Sequence, residues 1–356
     1  MVLATLASAC GSGGSTLESE PASTVAATTP GPPTSTVPEG ALDLAAPDGA
    51  FPPGMITGFQ AASGCQVALQ TWPAGEDRLR RLLGRIDLVS VRADRVRPLA
   101  AAGLVVPIDS GDVDGIGGVA SRLRSLQAVV LDGNSYAVPY AWEPLLLLSR
   151  DDAFPDGPPT SLRVLWEPAR STSVAVPDEP LTLATAALSV GVGDPFSLAA
   201  SDLAAADELV RLARPAYRWS SNASLESLLR SGLVTVALGS PRVALDLRGH
   251  ANVSATIPAE GAVGLVRALA LAARAPHPVC AYRFLSYMLE PQVQAVVASG
   301  SRLTPAVQSA CRPLGPRRCA ALHANDQWGA SVQLARRPLP PAAPWSRWVA
   351  DWRALR

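Results

Sequence analysis

The sequence predicts an α/β protein of two lobes, each a central, mostly parallel sheet flanked by helices, joined by two crossover strands. Three observations predict it. Short strand-like runs alternate with amphipathic helical runs on both sides of Gly133 to Ser149, and that alternation implies parallel sheets. Within that stretch a polar turn at Asp132-Gly133-Asn134 leads through Pro139-Tyr140-Ala141-Trp142 into the apolar run Leu145 to Leu148, the pattern of a chain leaving one lobe for another. The chain is 356 residues long, enough for two bodies that each bury a core.

In order, Leu42 to Ala46 reads as a first strand. A helix opens at Pro52-Pro53, carries Met55, Ile56 and Phe59 on one face, and ends at Gly64. Gln66 to Thr71 reads as a strand, the next helix carries Leu79, Leu82 and Leu83, and Ile86 to Val91 forms a third strand before a short helix to Gly103. In parallel sheets, ligands meet the loops at the carboxyl ends of strands, which here selects the loops near Pro47-Asp48 and Arg92-Ala93-Asp94.

Beyond the crossover the pattern repeats. Ser173 to Val176 is a strand and Pro180 to Val190 a helix. Ser201 is read as the cap of a helix bearing Leu203, Leu209, Val210 and Leu212; Ser221 or Asn222 caps the next, closed by Gly232; Leu233 to Leu238 is a strand. Helices follow from Pro278 to Leu289 and from Pro291 to Gly300. Trp345, Trp348 and Trp352 stand at helical spacing, a stripe read as packing.

Composition limits the function classes. Hydrophobic residues make up 48% and charged residues 17%, which is globular. The formal net charge is +0, so no basic field draws in nucleic acid, and none is expected as a partner. Every basic residue among the thirty is arginine, a bias that fits a GC-rich genome and weakens any argument from one Arg. There is no Gly-x-Ser-x-Gly elbow, no phosphate loop ending in Gly-Lys-Ser or Gly-Lys-Thr, and no His-Glu-x-x-His, so no enzyme, cofactor or metal is expected. His250, His277 and His323 sit in unrelated surroundings and are read as surface or loop residues.

Leu6-Ala7-Ser8-Ala9-Cys10 resembles a lipobox, in which small residues precede a cysteine that is diacylated and becomes the first residue after cleavage. Gly11 to Gly40 is rich in Ser, Thr, Pro and Gly and reads as a flexible tether. The expectation is a monomer on the outer face of the cytoplasmic membrane, held by lipid on Cys10 alone. Cys65, Cys280, Cys311 and Cys319 point to two disulfides in such a compartment, with three pairings possible; Cys311 and Cys319 are close enough in sequence to staple one loop, and Cys65 would then pair with Cys280. Cys311, Cys319 and His323 match no zinc spacing.

The run Tyr136-Ala137-Val138-Pro139-Tyr140-Ala141-Trp142 resembles the first hinge of the extracellular solute-binding proteins of ABC importers, in particular the spermidine/putrescine-binding branch of the periplasmic-binding-protein fold. Pro52-Pro53-Gly54, Asp87-Leu88-Val89, Gly239-Ser240 and Thr304-Pro305 extend the resemblance from about Leu42 to Trp328. It implies a first lobe over residues 41–136 and 256–315, a second over 137–255, a second crossover near Thr256 to Gly261, because Leu265 to Leu271 resembles a first-lobe strand of the family, and a C-terminal helical segment over 316–356 packing on both lobes. Residues 1–9 are then a signal remnant, and 10–40 the lipidated tether. It also implies capture of a small solute by lobe closure and delivery to a permease.

Polyamine binders of this branch hold amines with carboxylates and line the methylene chain with aromatic rings. The equivalent aromatic positions here are Pro47, Ala50, Asp94, Ala237, Leu265 and Arg302. One acidic position matches Asp178, its neighbour a turn later is Leu181, and the main carboxylate position holds Arg267. The expected site is therefore anionic or zwitterionic in taste. Arg92, Arg267 and Arg302 would take carboxylate or phosphonate oxygens, and Asp48, Asp94 and Asp178 would receive an amino group. Tyr140, Trp142 and Glu143 either line the cleft or fill and brace the hinge. Two alternatives stand beside this one: a two-lobed envelope lipoprotein that has lost its ligand, and polyamine binding.

Overall fold

The computed structural model describes residues 39–72, 76–322 and 331–355, all within one compact unit, Pro32–Arg356. Cys10, nearly all of the tether and His323 lie outside the described residues.

The first body opens with β1 (Ala41–Ala46), α1 (Pro53–Ser63), β2 (Gln66–Thr71), α2 (Glu76–Leu82), β3 (Leu88–Arg92) and α3 (Val96–Ala101). Proline at the first turn starts α1, and Gly64 ends it at φ 75°, a left-handed cap that glycine adopts without penalty. Its inward face places Met55 and Phe59 in the core. A short helix α4 (Ser121–Arg124) and a two-residue hairpin, β4 (Val130–Leu131) and β5 (Asn134–Ser135), precede the buried β6 (Val138–Pro144).

The second body follows with β7 (Leu146–Arg150), β8 (Val174–Pro177), α5 (Thr182–Ser189), α6 (Ala200–Ala213), β9 (Tyr217–Trp219), α7 (Asn222–Arg230), β10 (Val236–Gly239), α8 (Pro241–Asp246) and β11 (Val253–Thr256). Ser221 caps α7, accepting from the Ser224 N–H at 3.2 Å. Ser201 does not cap α6. That helix starts at Ala200 with Ala199 in the cap position, and Asp202, in its first turn, accepts from the Ala199 N–H instead. The chain returns with β12 (Ala262–Leu271), α9 (Pro278–Met288), α10 (Pro291–Ser301), β13 (Thr304–Pro305), α11 (Cys311–Leu314), α12 (Pro316–Ala321), β14 (Val332–Leu334) and α13 (Trp345–Ala354).

Two main sheets result. One has the order β13-β6-β12-β3-β1-β2, with β14 beside β12; the other runs β11-β7-β10-β8-β9. Pairing is parallel where helices intervene, as in β3-β1-β2 and β10-β8-β9. The strands that pass between lobes, β6 with β12 and β7 with β11, pair antiparallel because one leaves where the other returns. The first passage is Leu145, whose N–H donates to Val263 O at 2.8 Å, and the second is residues 257–261. Gly261 has φ 95°, and a Cβ there would meet Ser331 O at 2.8 Å, so the return demands glycine.

A third passage follows β14. Ala335 N–H donates to Gly264 O and Ala343 N–H to Leu198 O, leading α13 onto the second lobe. There Trp348 and Trp352 are 0% and 2% exposed in that lobe's core. At roughly 200 Å² each and about 25 cal/mol per Å², each indole adds on the order of 5 kcal/mol of gross burial. Cys65 pairs with Cys280, joining the end of α1 to α9 with Cα atoms 6.0 Å apart, and Cys311 pairs with Cys319 between α11 and α12.

Candidate functional site

A cavity of about 510 Å³ lies between the lobes. Its first-lobe wall comes from the carboxyl ends of β1, β2 and β3 and the residues just after them, namely Pro47, Trp72, Arg92 and Arg95, with Leu265 and Arg267 on β12. The facing wall comes from the ends of β8, β9 and β10, namely Pro177, Asp178 and Glu179, then Trp219 to Asn222, then Ser240. Carboxyl ends of strands from both sheets thus meet at one crevice, and the hinge residues Glu143 and Leu145 close its floor.

Two indoles are fixed on opposite walls. Trp72 Nε1 donates to Ser90 O at 3.1 Å and Trp219 Nε1 to Leu238 O at 2.9 Å, so each ring is anchored through its polar atom and offers its apolar body to the cavity. The Arg95 guanidinium lies 5.8 Å from the Trp72 ring centre.

Arg92 organises the charge. Asp94 grips it from its own lobe, Oδ1 on Nε at 2.9 Å and Oδ2 on Nη2 at 3.1 Å, while Nη1 crosses the cleft to Glu179 Oε2 at 2.5 Å. Burial works against the charge on Arg92, but the Asp94 and Glu179 carboxylates outweigh it and hold the group above its ordinary pKa. Burial likewise opposes ionisation of Asp94, and the Arg92 guanidinium overcomes it, leaving the carboxyl below its usual range.

Arg267 and Glu143 make a second, looser pair on the cavity floor, Nη2 to Oε1 at 3.5 Å. Glu143 Oε2 and Arg267 Nε are buried with no hydrogen-bond partner. A smaller cavity of about 370 Å³ lies beyond Arg92 and Glu179, where Arg337, Trp345 and Arg353 approach from the C-terminal segment.

The structure sorts the expected site residues. Arg92, Arg267 and Asp178 line the cleft, and Asp94 lies behind Arg92, its carboxylate engaged there rather than free for an amine. Asp48 is exposed in the turn after β1 and is not among the lining residues.

Arg302 does not converge on the cleft. It ends α10 in a left-handed conformation at φ 57°, and its Nε bonds Asp246 Oδ1 on α8 at 2.8 Å, at a junction between the lobes apart from the cavity.

Tyr140 and Trp142 are core residues, not lining ones. The Tyr140 hydroxyl shares a 2.7 Å hydrogen bond with Ser90 Oγ and its ring packs on Phe51, while Trp142 lies beneath the Arg122 guanidinium at 5.3 Å. On β6 they are flanked by buried neighbours, and only Glu143 and Leu145 of the hinge reach the cavity.

Trp72, Arg95, Glu179, Trp219 and Ser240 were not foreseen as site residues. Each stands within a few residues of a strand's carboxyl end, and that position is the signal that could have found them.

One trio among the described residues, Asp43, Asp87 and His277, brings potential metal-ligating atoms within 4.8 Å of one another. Asp87 already accepts from the Asp43 and His277 backbone N–H groups at 2.7 and 2.6 Å, and it faces His277 Nδ1 at 3.1 Å. That trio fastens the start of α9 to the sheet.

Residues 54–313 match the model of the family described as bacterial extracellular solute-binding protein. The chain is 26% identical over 268 residues to the putrescine-binding periplasmic protein PotF of Escherichia coli K12, covering 69% of this chain and 72% of that protein. Its fold superposes, at 16% identity and a TM-score of 0.76, on the spermidine/putrescine ABC transporter substrate-binding protein PotD of Streptococcus pneumoniae, over 88% of this chain and 97% of the other. The binding protein AgtB of A. tumefaciens R10, solved with agropinic acid, matches at 18% identity and a TM-score of 0.65 over 89% and 96%. A two-lobed fold with a cleft at the strand ends and a family match over well over half the chain agree: this protein belongs to the bacterial extracellular solute-binding proteins and works outside the cytoplasm as a binding protein.

Proposed function

We propose that the protein captures a small zwitterionic solute of the amino-acid class in the cleft between its lobes and delivers it to the permease of an ABC importer. The carrying observation is the balance of the cleft: Arg92, Arg95 and Arg267 face Glu143, Asp178 and Glu179 between two fixed indoles. A guanidinium fork suits a carboxylate, a carboxylate suits an ammonium group, and the indoles suit the carbon chain between them. A volume of about 510 Å³ is that of a small-molecule site.

Closure about the two hinge strands supplies the mechanism. A solute touching both walls stabilises the closed form, and the permease reads that form. We also propose anchorage by lipid on Cys10; replacing Cys10 by Ala should then release the protein from membranes.

A second reading, polyamine capture, is favoured by the placement of Glu143, Asp178 and Glu179 near Trp72 and Trp219, and by the putrescine-binding relatives. Thermal melting of the full chain with three matched four-carbon probes separates the two: 4-aminobutanoate, putrescine and succinate. Common α-amino acids extend the zwitterion set. A solute at 100 times its Kd raises stability by about 2.7 kcal/mol. Stabilisation by zwitterions above putrescine supports the proposal, and the reverse order establishes the polyamine reading.

A further inference from the structure

The ion pair between Arg92 and Glu179 joins the lobes. Arg92 ends β3 of the first lobe, Glu179 follows β8 of the second, and the bond spans 87 residues of sequence. The two members are not held alike. Arg92 is 16% exposed and locked on two of its nitrogens by Asp94, so Nη1 points in a fixed direction. Glu179 is 27% exposed in a loop, and its one side-chain partner among the described residues is Arg92. The pair lies on the wall between the inner and the outer cavity, and both residues line each.

A rigid cationic fork opposed by a movable carboxylate is the arrangement of a carboxylate subsite already filled from within. Resting on the zwitterion reading above, we propose that Glu179 is a built-in stand-in for the solute: the solute's carboxylate displaces it from Nη1 of Arg92, and the freed Glu179 takes the solute's ammonium group. Inserting a zwitterion replaces one ion pair by two, so neither Arg92 nor Glu179 is left alone. A solute carrying only a carboxylate frees Glu179 without a partner, and a solute carrying only amines leaves Arg92 short of one; breaking a partly buried pair on one side is the costly case. The exchange therefore selects zwitterions over both charge classes.

The test is binding of 4-aminobutanoate and of butanoate, its analogue without the amine, to the wild-type chain and to Glu179→Gln, by calorimetry. Glutamine keeps the shape and removes the charge, so Arg92 is no longer opposed by an internal carboxylate. The expected result is that 4-aminobutanoate weakens while butanoate tightens, the ratio of their affinities falling about tenfold or more. Glu179→Asp, which keeps the charge on a shorter arm, should keep the wild-type order of preference. An unchanged ratio in Glu179→Gln, with 4-aminobutanoate still bound, overturns this inference alone. A wild-type chain that binds neither 4-aminobutanoate nor any α-amino acid refutes the zwitterion reading and this inference with it. Small-angle scattering without solute gives a reading independent of the ligand: removing the interlobe bond should raise the radius of gyration of Glu179→Gln above wild type, and identical curves count against the proposal.

Discussion

The indole Nε1 of Trp352, on the last helix, donates to Asp178 Oδ1 at 3.1 Å, so the carboxyl end of the chain braces one wall of the cleft. Its ring is buried in the second lobe's core and lies 4.4 Å from the Arg218 guanidinium. Trp352→Phe keeps most of the packing and removes the donor. Solute affinity should fall by about tenfold, the equivalent of the roughly 1.5 kcal/mol of a hydrogen bond to a charged group. Calorimetry on the variant checks it, with circular dichroism to show that the fold is kept.

Trp348, one turn before, has no such link to the cleft and stacks on Trp345 with ring centres 5.9 Å apart. Trp348→Ala should cost about 3–5 kcal/mol of stability through the cavity it leaves. Urea unfolding measures the loss, and a midpoint equal to that of wild type would show that α13 is dispensable to the second lobe.

The disulfide between Cys65 and Cys280 closes a loop of 215 residues and ties the two separate chain segments of the first lobe together. Cys65→Ser with Cys280→Ser should lower stability by about 2–5 kcal/mol. Mapping of unreduced peptides should find Cys65 with Cys280 and Cys311 with Cys319, and a different pairing would contradict the structure.

Asp94 makes stability depend on acid. Its folded pKa is depressed by Arg92 below the ordinary value of about 4, so its contribution is complete above that value and is lost as the pH falls through the folded pKa. Melting temperature should drop more steeply below about pH 4 in wild type than in Asp94→Asn, which lacks the titrating group. Parallel acid profiles would remove Asp94 from the account.

Much of the frame is legible in the sequence because it is written in local patterns. Gln66–Thr71 is a strand with the bounds read from the sequence, α1 lies between a starting proline and an ending glycine, and the hinge stands out at Val138–Trp142. The site is less legible because its decisive relations are distant. Arg92 meets Glu179 across 87 residues, and Arg302 is drawn away by Asp246 on another helix, a pairing that no spacing announces. Trp219 ends a strand of three residues, too short for periodicity to reveal, so the second indole of the cleft is hidden in sequence. Tyr140 and Trp142 resemble ligand-facing aromatics on a hinge, yet β6 is buried along its whole length and turns them into the core.

Tryptophan fluorescence decides whether solute binds between Trp72 and Trp219. Titration of the full chain with 4-aminobutanoate should give a saturable change, and Trp72→Phe with Trp219→Phe should abolish most of it while the other indoles remain. A change that persists undiminished in the double variant would place the solute elsewhere. No saturable change with any zwitterion, together with one for putrescine, would contradict the proposed ligand class.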